Sequence, residues 1–137
     1  NMFYISGGCS LYLEALHFVD GRSDDNGGAV RADGAGDIAM KDVSFTGCEA
    51  SQWGGGMYVD GSGDVSLERV SFSECTAGEM RAWDGWGGGM YVDGSGDVSL
   101  ERASFSECTA GELGGGMFVD GSGDVSLERA SFSECTA

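Results

Sequence analysis

The stretch GGGMYVDGSGDVSLERVSFSECTAGE, Gly54–Glu79, returns from Gly87 with Ala103 in place of Val70, and again over Gly114–Ala137 with Phe118 in place of a tyrosine and Ala130 in place of Val70. Its cysteines set a ruler. Cys48 and Cys75 are 27 residues apart, Cys75 and Cys108 are 33 apart, and Cys108 and Cys135 are again 27 apart. Gly27, Gly54, Gly87 and Gly114 repeat the same intervals. The unit is 27 residues long, and one junction carries an insertion. A degenerate first unit precedes these. LYLEALHFVDG from Leu11 aligns with VSLERVSFSEC from Val65, placing Leu11 on Val65, Leu13 on Leu67, Leu16 on Val70, Phe18 on Phe72 and Gly21 on Cys75. Five units result: 1–26, 27–53, 54–86 with an insertion at 80–86, 87–113 and 114–137.

A fixed period of this size signals a solenoid, because one unit cannot bury its own apolar face and needs a stacked neighbour. The periodicity inside the unit selects the kind. MYVD, VSLE and VSFS alternate with a period of two, and DGSGD and ECTAG interrupt them. Short alternating runs between Gly, Asp and Ser turns are half-buried strands. No stretch carries a capped helical period. The expected fold is all-β: a right-handed single-stranded parallel β-helix of about five coils, with three short strands per coil. Met57, Val59, Val65, Leu67, Val70, Phe72, Cys75 and Ala77 then point inward. Stacking repeats each residue at about 4.8 Å. Phe45, Phe72, Phe105 and Phe132 become one structural column and Cys48, Cys75, Cys108 and Cys135 another.

Composition bounds the rest. The 137 residues are 41% hydrophobic, too apolar for a disordered acidic tail, and carry a net charge of -16. That charge excludes nucleic acid as a partner and disfavours an anionic membrane surface. No apolar run is long enough for direct membrane insertion. The 26 glycines supply turns, and the absence of proline leaves every backbone donor free for a ladder. Because the chain starts at Asn1 and stops at Ala137, where the next GGG would begin, it is expected to be a piece of a longer chain. Further coils, a cap or another subunit would cover its ends, and the isolated chain is expected to associate end to end.

GGAV at Gly27, the GGGM copies and SFSECTA resemble the GGA-I and F-x-x-N repeats of polymorphic outer-membrane proteins and related β-helix surface proteins. ISGGCSLYLEALHFVDG followed by GGAV looks like the lead-in coil of such proteins. The resemblance implies the pectin-lyase-like fold. It leaves function open, since that fold hosts lyases, hydrolases, adhesins and inert stalks. The asparagine of F-x-x-N is replaced here by Cys48, Cys75, Cys108 and Cys135.

Four features compete for a role. A column of parallel thiols cannot converge tetrahedrally on zinc, and parallel Cβ vectors do not suit a disulfide. The four cysteines are therefore expected to be reduced and packed, with Cys9 unpaired in another column. The turns stack Asp60, Asp93 and Asp120, and likewise Asp64, Asp97 and Asp124, with Asp33 and Asp37 continuing the two rows. Each like-charged pair repels by about 0.9 kcal/mol in water-like dielectric, which invites weak cation binding, calcium included. Otherwise these are solvated turns in which each aspartate bonds its own backbone. Glu68, Glu101 and Glu128 form another acidic row, flanked by Arg69, Arg102 and Arg129. No dedicated cofactor is expected. Ser71 and Ser73, with their counterparts in neighbouring coils, form a hydroxyl grid similar to the T-x-T faces of β-solenoid ice-binding proteins, though an ordinary polar face explains it as well.

The fourth feature is the insertion MRAWDGW, Met80–Trp86. Loops on rigid scaffolds carry binding, so Arg81, Trp83, Asp84 and Trp86, together with Trp53, are candidate contacts for a protein or glycan. Equally, the tryptophans fold back as local packing. Tyr58, Tyr91 and Phe118 add an outward aromatic row, with Arg31 continuing it. Carboxylates and arginines recur identically in each coil, whereas an active site is a singular place. His17, the one histidine, has no evident partner. No catalytic residue and no enzymatic activity are expected. The expected role is a structural or adhesive scaffold within a larger surface, secreted or assembly-bound protein. It would be extracellular or at the cell surface, or in an organelle lumen as part of a complex. The alternatives are a recognition module acting through the tryptophan loop and a segment of a carbohydrate-active enzyme.

Overall fold

The computed structural model describes residues 2–78 and 85–137. Every secondary-structure element in it is a strand, and every pairing is parallel. Three sheets run along the stack. The first holds β1 (Phe3–Ser6), β4 (Val30–Asp33), β7 (Met57–Asp60), β10 (Met90–Asp93) and β14 (Met117–Asp120) in that order. The second is built from β2 (Leu11–Val19), β5 (Ile38–Thr46) and β8 (Val65–Ser73), then from the split strands β11 (Val98–Glu101) with β12 (Ser104–Ser106) and β15 (Val125–Glu128) with β16 (Ser131–Ser133). The third is narrow: β3 (Arg22–Ser23), β6 (Glu49–Ala50), β9 (Thr76–Ala77) and β13 (Thr109–Ala110).

The register is the one the period dictates. Val65 pairs with Ile38 and Val98, Phe72 with Phe45 and Phe105, and Met57 with Val30 and Met90. The first coil joins through Leu11↔Ile38 and Phe18↔Phe45, so the degenerate unit is a true coil. Gly78 and Gly85 lie side by side, and Trp86 pairs with both Trp53 and Leu113. Gly85 and Trp86 therefore belong to the ladder, and the insertion narrows to residues 79–84 rather than 80–86.

Alternation within each strand sorts the side chains. Val30, Met57 and Met90, then Val65, Leu67, Val70, Phe72 and Cys75 with their counterparts, form one continuous core. The phenylalanine rings stack by near-pure translation. Phe45–Phe72, Phe72–Phe105 and Phe105–Phe132 are 4.6, 4.8 and 4.7 Å apart, with ring planes 3–4° from parallel. Each such pair adds about 0.5–1.5 kcal/mol beyond its burial.

Left-handed backbone recurs at several columns of the coil; two of them, Gly27 to Gly114 and Gly34 to Gly121, are glycine throughout, and two carry mostly other residues. One of the latter is the column Ala15, Asp42, Arg69, Arg102 and Arg129, at φ 52–55°; the other is Asp20, Gly47, Glu74, Glu107 and Glu134. A non-glycine residue there costs about 1–2 kcal/mol. The corner is held by the ladder: the Glu74 N–H donates to Ser106 O at 3.0 Å, and the Gly47 N–H to Ser73 O at 3.0 Å.

Candidate functional site

The aromatic face is built where the junction between coils meets the first sheet. Tyr58 and Tyr91 point away from the coil interior, yet both are buried. Alternation alone marks them as outward residues. The cover comes from Trp53 and Trp86, which end their coils one rung apart. Trp53 stacks on Tyr91 at 5.4 Å, on Trp86 at 5.6 Å and on Tyr58 at 6.1 Å. Tyr58, Tyr91 and Phe118 stack along the ladder at 5.2 and 5.4 Å, and Trp86 leans over Phe118 at 5.2 Å. Arg31 continues the row: its guanidinium lies 5.7 Å from the Tyr4 ring centre and 5.8 Å from that of Tyr58. Five of the candidate contacts, Trp53, Trp86, Tyr58, Tyr91 and Phe118, thus form one external apolar layer. Arg81, Trp83 and Asp84 lie outside the described residues.

The polar edges of this layer are mostly occupied. Trp86 Nε1–H donates to Glu112 at 2.9 Å, while Trp53 Nε1 is buried with no hydrogen-bond partner among the described residues. The tyrosine hydroxyls reach along their own strands, Tyr58 to Asp60 at 3.3 Å and Tyr91 to Asp93 at 3.5 Å. Burial, then the charge of Asp93, pushes the Tyr91 phenol up to about 12. Burial, then Asp60, raises that of Tyr58 as well. Arg31 donates to Asp33 at 2.9 Å and also pairs with Asp25. Burial opposes its charge, but these two carboxylates outweigh it and hold the guanidinium above its ordinary value.

The acidic turns differ from the sequence-based expectation. Asp37, Asp64 and Asp97 do not bond their own backbone. Each carboxylate accepts the backbone N–H of the aspartate one coil on: Asp64 N–H to Asp37 at 3.2 Å, Asp97 N–H to Asp64 at 3.0 Å and Asp124 N–H to Asp97 at 2.9 Å. The acids are stitches between coils, and that use of the carboxylates offsets the repulsion along their row. Asp60, Asp93 and Asp120 line the parallel row on the sheet edge. Among the described residues, no three His, Cys, Asp or Glu side chains gather as a metal-binding group. The arginine corner is also engaged. Arg69 grips Asp42 through two bonds of 2.6 and 2.9 Å and pairs with Glu68, and Arg102–Glu101 and Arg129–Glu128 follow at 3.5 and 3.8 Å. The bond from Arg69 holds the Asp42 carboxyl below its ordinary range.

The thiols stand in one column. Cys48, Cys75 and Cys108 are fully buried, Cys135 in the last coil is half-buried, and Cys9 is exposed; all are free. Cys75 Sγ lies 3.4 Å from Ser73 O and 3.7 Å from Phe45 O, and Cys108 repeats the pattern at 3.4 and 3.6 Å. Contact with the Cys108 thiol, then with that of Cys48, then burial, push the Cys75 thiol upward. His17 has a partner after all. Its Nδ1 lies 2.5 Å from Ser44 Oγ, its register neighbour one coil on. A polar depression of about 120 Å³ lies over the third sheet beside Arg22, Asp24, Glu49 and Ser51.

The sequence of residues 2–137 matches the family described as right-handed β-helix region. The chain belongs to that family. The match spans every coil and fixes the hand of the winding, which the ladder pairings alone leave open. No curated protein and no solved structure matches the chain. Membership in the β-helix family settles the architecture and not the chemistry, because function resides in sites added to a fold.

Of the two alternatives that the sequence leaves for the tryptophans, the structure lays Trp53 and Trp86 back over the aromatic row; which rings they meet escaped reading, because the two-residue period stops at the junction between coils and gives no direction. The aspartate stitches join residues a full coil apart; the 27-residue spacing of Asp37 and Asp64 is the one signal that could have found them.

Proposed function

We propose that this chain is a structural or adhesive β-helix scaffold, a working section of a larger surface, secreted or assembly-bound protein, and not an enzyme. The observation that supports this most is the repetition of its outer face. The Ser71–Ser73 pair, the Glu68–Arg69 corner and the Asp64 stitch recur at the same register in the neighbouring coil. Such a face is suited to extended, repeated contact with other coils, subunits or a glycan. The likeness of its GGGM and Phe-x-x-Cys repeats to those of polymorphic outer-membrane proteins supports an extracellular or cell-surface location.

The test is an in-frame deletion of one whole coil, Gly87–Leu113, 27 residues. Beads coated with the parent and the shortened chain are compared for adhesion to matrix proteins and glycans. The same proteins are assayed for release of new chain ends from neutral and acidic polysaccharides. The scaffold reading expects a graded loss of adhesion and no chain cleavage by either protein. Polysaccharide cleavage that disappears with the deletion would overturn it. A second reading, recognition through the tryptophan junction, is favoured by the partly open faces of Trp53 and Trp86. It expects removal of residues 79–84 to abolish binding while leaving the melting temperature unchanged.

A further inference from the structure

The thiol column has a geometry that neither zinc nor a disulfide can use but one other ligand can. Cys48, Cys75 and Cys108 each contact the carbonyl two residues back and one of the preceding coil, and Cys135 keeps the first of these, to Ser133 O at 3.4 Å. Each is therefore the translate of its neighbour. The phenylalanine column three residues away measures that translation at 4.6, 4.8 and 4.7 Å. Zinc wants four ligands in a tetrahedron, and a stack offers two facing sulfurs at any one level. A disulfide wants sulfurs about 2 Å apart and a torsion near 90°, whereas translated side chains give a torsion near zero. A cation that takes two ligands in a line has neither demand. A metal–thiolate bond is about 2.3 Å long, so two in a line span about 4.6 Å, the rise of the coil. Rotation about the sulfur–metal–sulfur axis is free, so parallel Cβ–Sγ bonds cost it nothing.

We infer that the column Cys48, Cys75, Cys108 and Cys135 binds soft closed-shell cations that accept two thiolates in a line, the copper(I), silver(I) and mercury(II) class. Thiolate ligands select such soft ions over calcium or magnesium. Charge decides within the class. Each cation displaces the protons of two neighbouring thiols and forms two metal–sulfur bonds. A divalent ion then leaves a neutral pair, whereas a monovalent ion leaves one negative charge in a core lined by Phe45, Phe72 and Phe105. Burying that charge is costly, so mercury(II) is the best-matched member. Four rungs make two pairs, Cys48 with Cys75 and Cys108 with Cys135, so the capacity is two divalent cations per chain.

The probe is mercury(II) added to the folded chain carrying Cys9→Ser, which removes the exposed thiol. Intact-protein mass spectrometry counts the ions, X-ray absorption reads their sulfur neighbours, and circular dichroism follows the sheet. The expected result is two ions per monomer, each with two sulfurs at about 2.3 Å, two protons released per ion and an unchanged β spectrum. Cys48→Val should lower the count to one, because one neighbouring pair can then be filled. Cys75→Val with Cys108→Val isolates the two remaining thiols and should abolish two-sulfur coordination. One ion per thiol with a single sulfur each, loss of the β spectrum on binding, or an unchanged count in the Cys48→Val chain would each overturn the inference.

Discussion

Gly55 and Gly34 look alike in sequence and are held for different reasons. A Cβ on Gly55 would lie 2.2 Å from Gly88 O and 2.4 Å from Thr76 O, both backbone atoms of the ladder. Gly34 has open space around it and only a positive φ of 59°. Gly55→Ala is therefore expected to cost more than about 3 kcal/mol, because two coils must part, and Gly34→Ala about 1–2 kcal/mol from backbone strain alone. Urea denaturation of the two variants checks the ranking. Charge acts at the same scale. The folded state holds the Asp42 carboxyl below its ordinary value through its bond to Arg69. That stabilisation is present above the unfolded carboxyl value, about 3.9, and is lost as pH falls through the lower folded value. Arg69→Ala should therefore destabilise the chain at pH 6 and have a smaller effect near pH 2, as read from melting temperatures at the two pH values.

At the scale of the strand, position in the stack decides the energetics. Phe72 is fully buried between two rings, while Phe132 in the last coil is 48% exposed. Phe72→Ala should cost about 3–5 kcal/mol and Phe132→Ala clearly less, both measured by urea midpoint. Tyr91 provides an alkaline counterpart to Asp42. Its phenol is raised to about 12, burial being the first cause. Stability is then complete below the unfolded value of about 10 and declines as pH rises from there towards 12. Tyr58→Phe with Tyr91→Phe should leave stability at pH 8 nearly unchanged, since Phe118 already occupies the same column. The double variant should lose less than the parent at pH 11.5. The inward residues of these strands were legible because alternation between Val65, Leu67, Val70 and Phe72 has one physical meaning, a half-buried strand. The burial of Tyr58 was not, because alternation reports which side a residue points to and not what another coil lays over it. His17 was misread for the same reason: its partner Ser44 is a neighbour in register, 27 residues away in sequence.

At the scale of the whole molecule, the central claim is that each coil is a translated copy of its neighbour and can be removed as a unit. The fivefold stack and its register were readable from the cysteine spacing. The place of Trp86 opposite Trp53 was readable too, and its pairing with Trp53 and Leu113 agrees with it; the start of the insertion was not, because nothing in the sequence says that Gly85 returns beside Gly78. The most direct measurement is a distance between spin labels at positions 17 and 131, in a chain whose Cys9 and Cys135 are replaced. His17 reaches Ser131 through Ser44, Ser71 and Ser104, so four rises separate them. Four rises of about 4.8 Å give about 19 Å. Deleting Gly87–Leu113 removes the Ser104 rung, and the expected distance is shorter by one rise, about 14 Å, still narrowly distributed. A distance that stays the same or grows, or a broad distribution after the deletion, would contradict it.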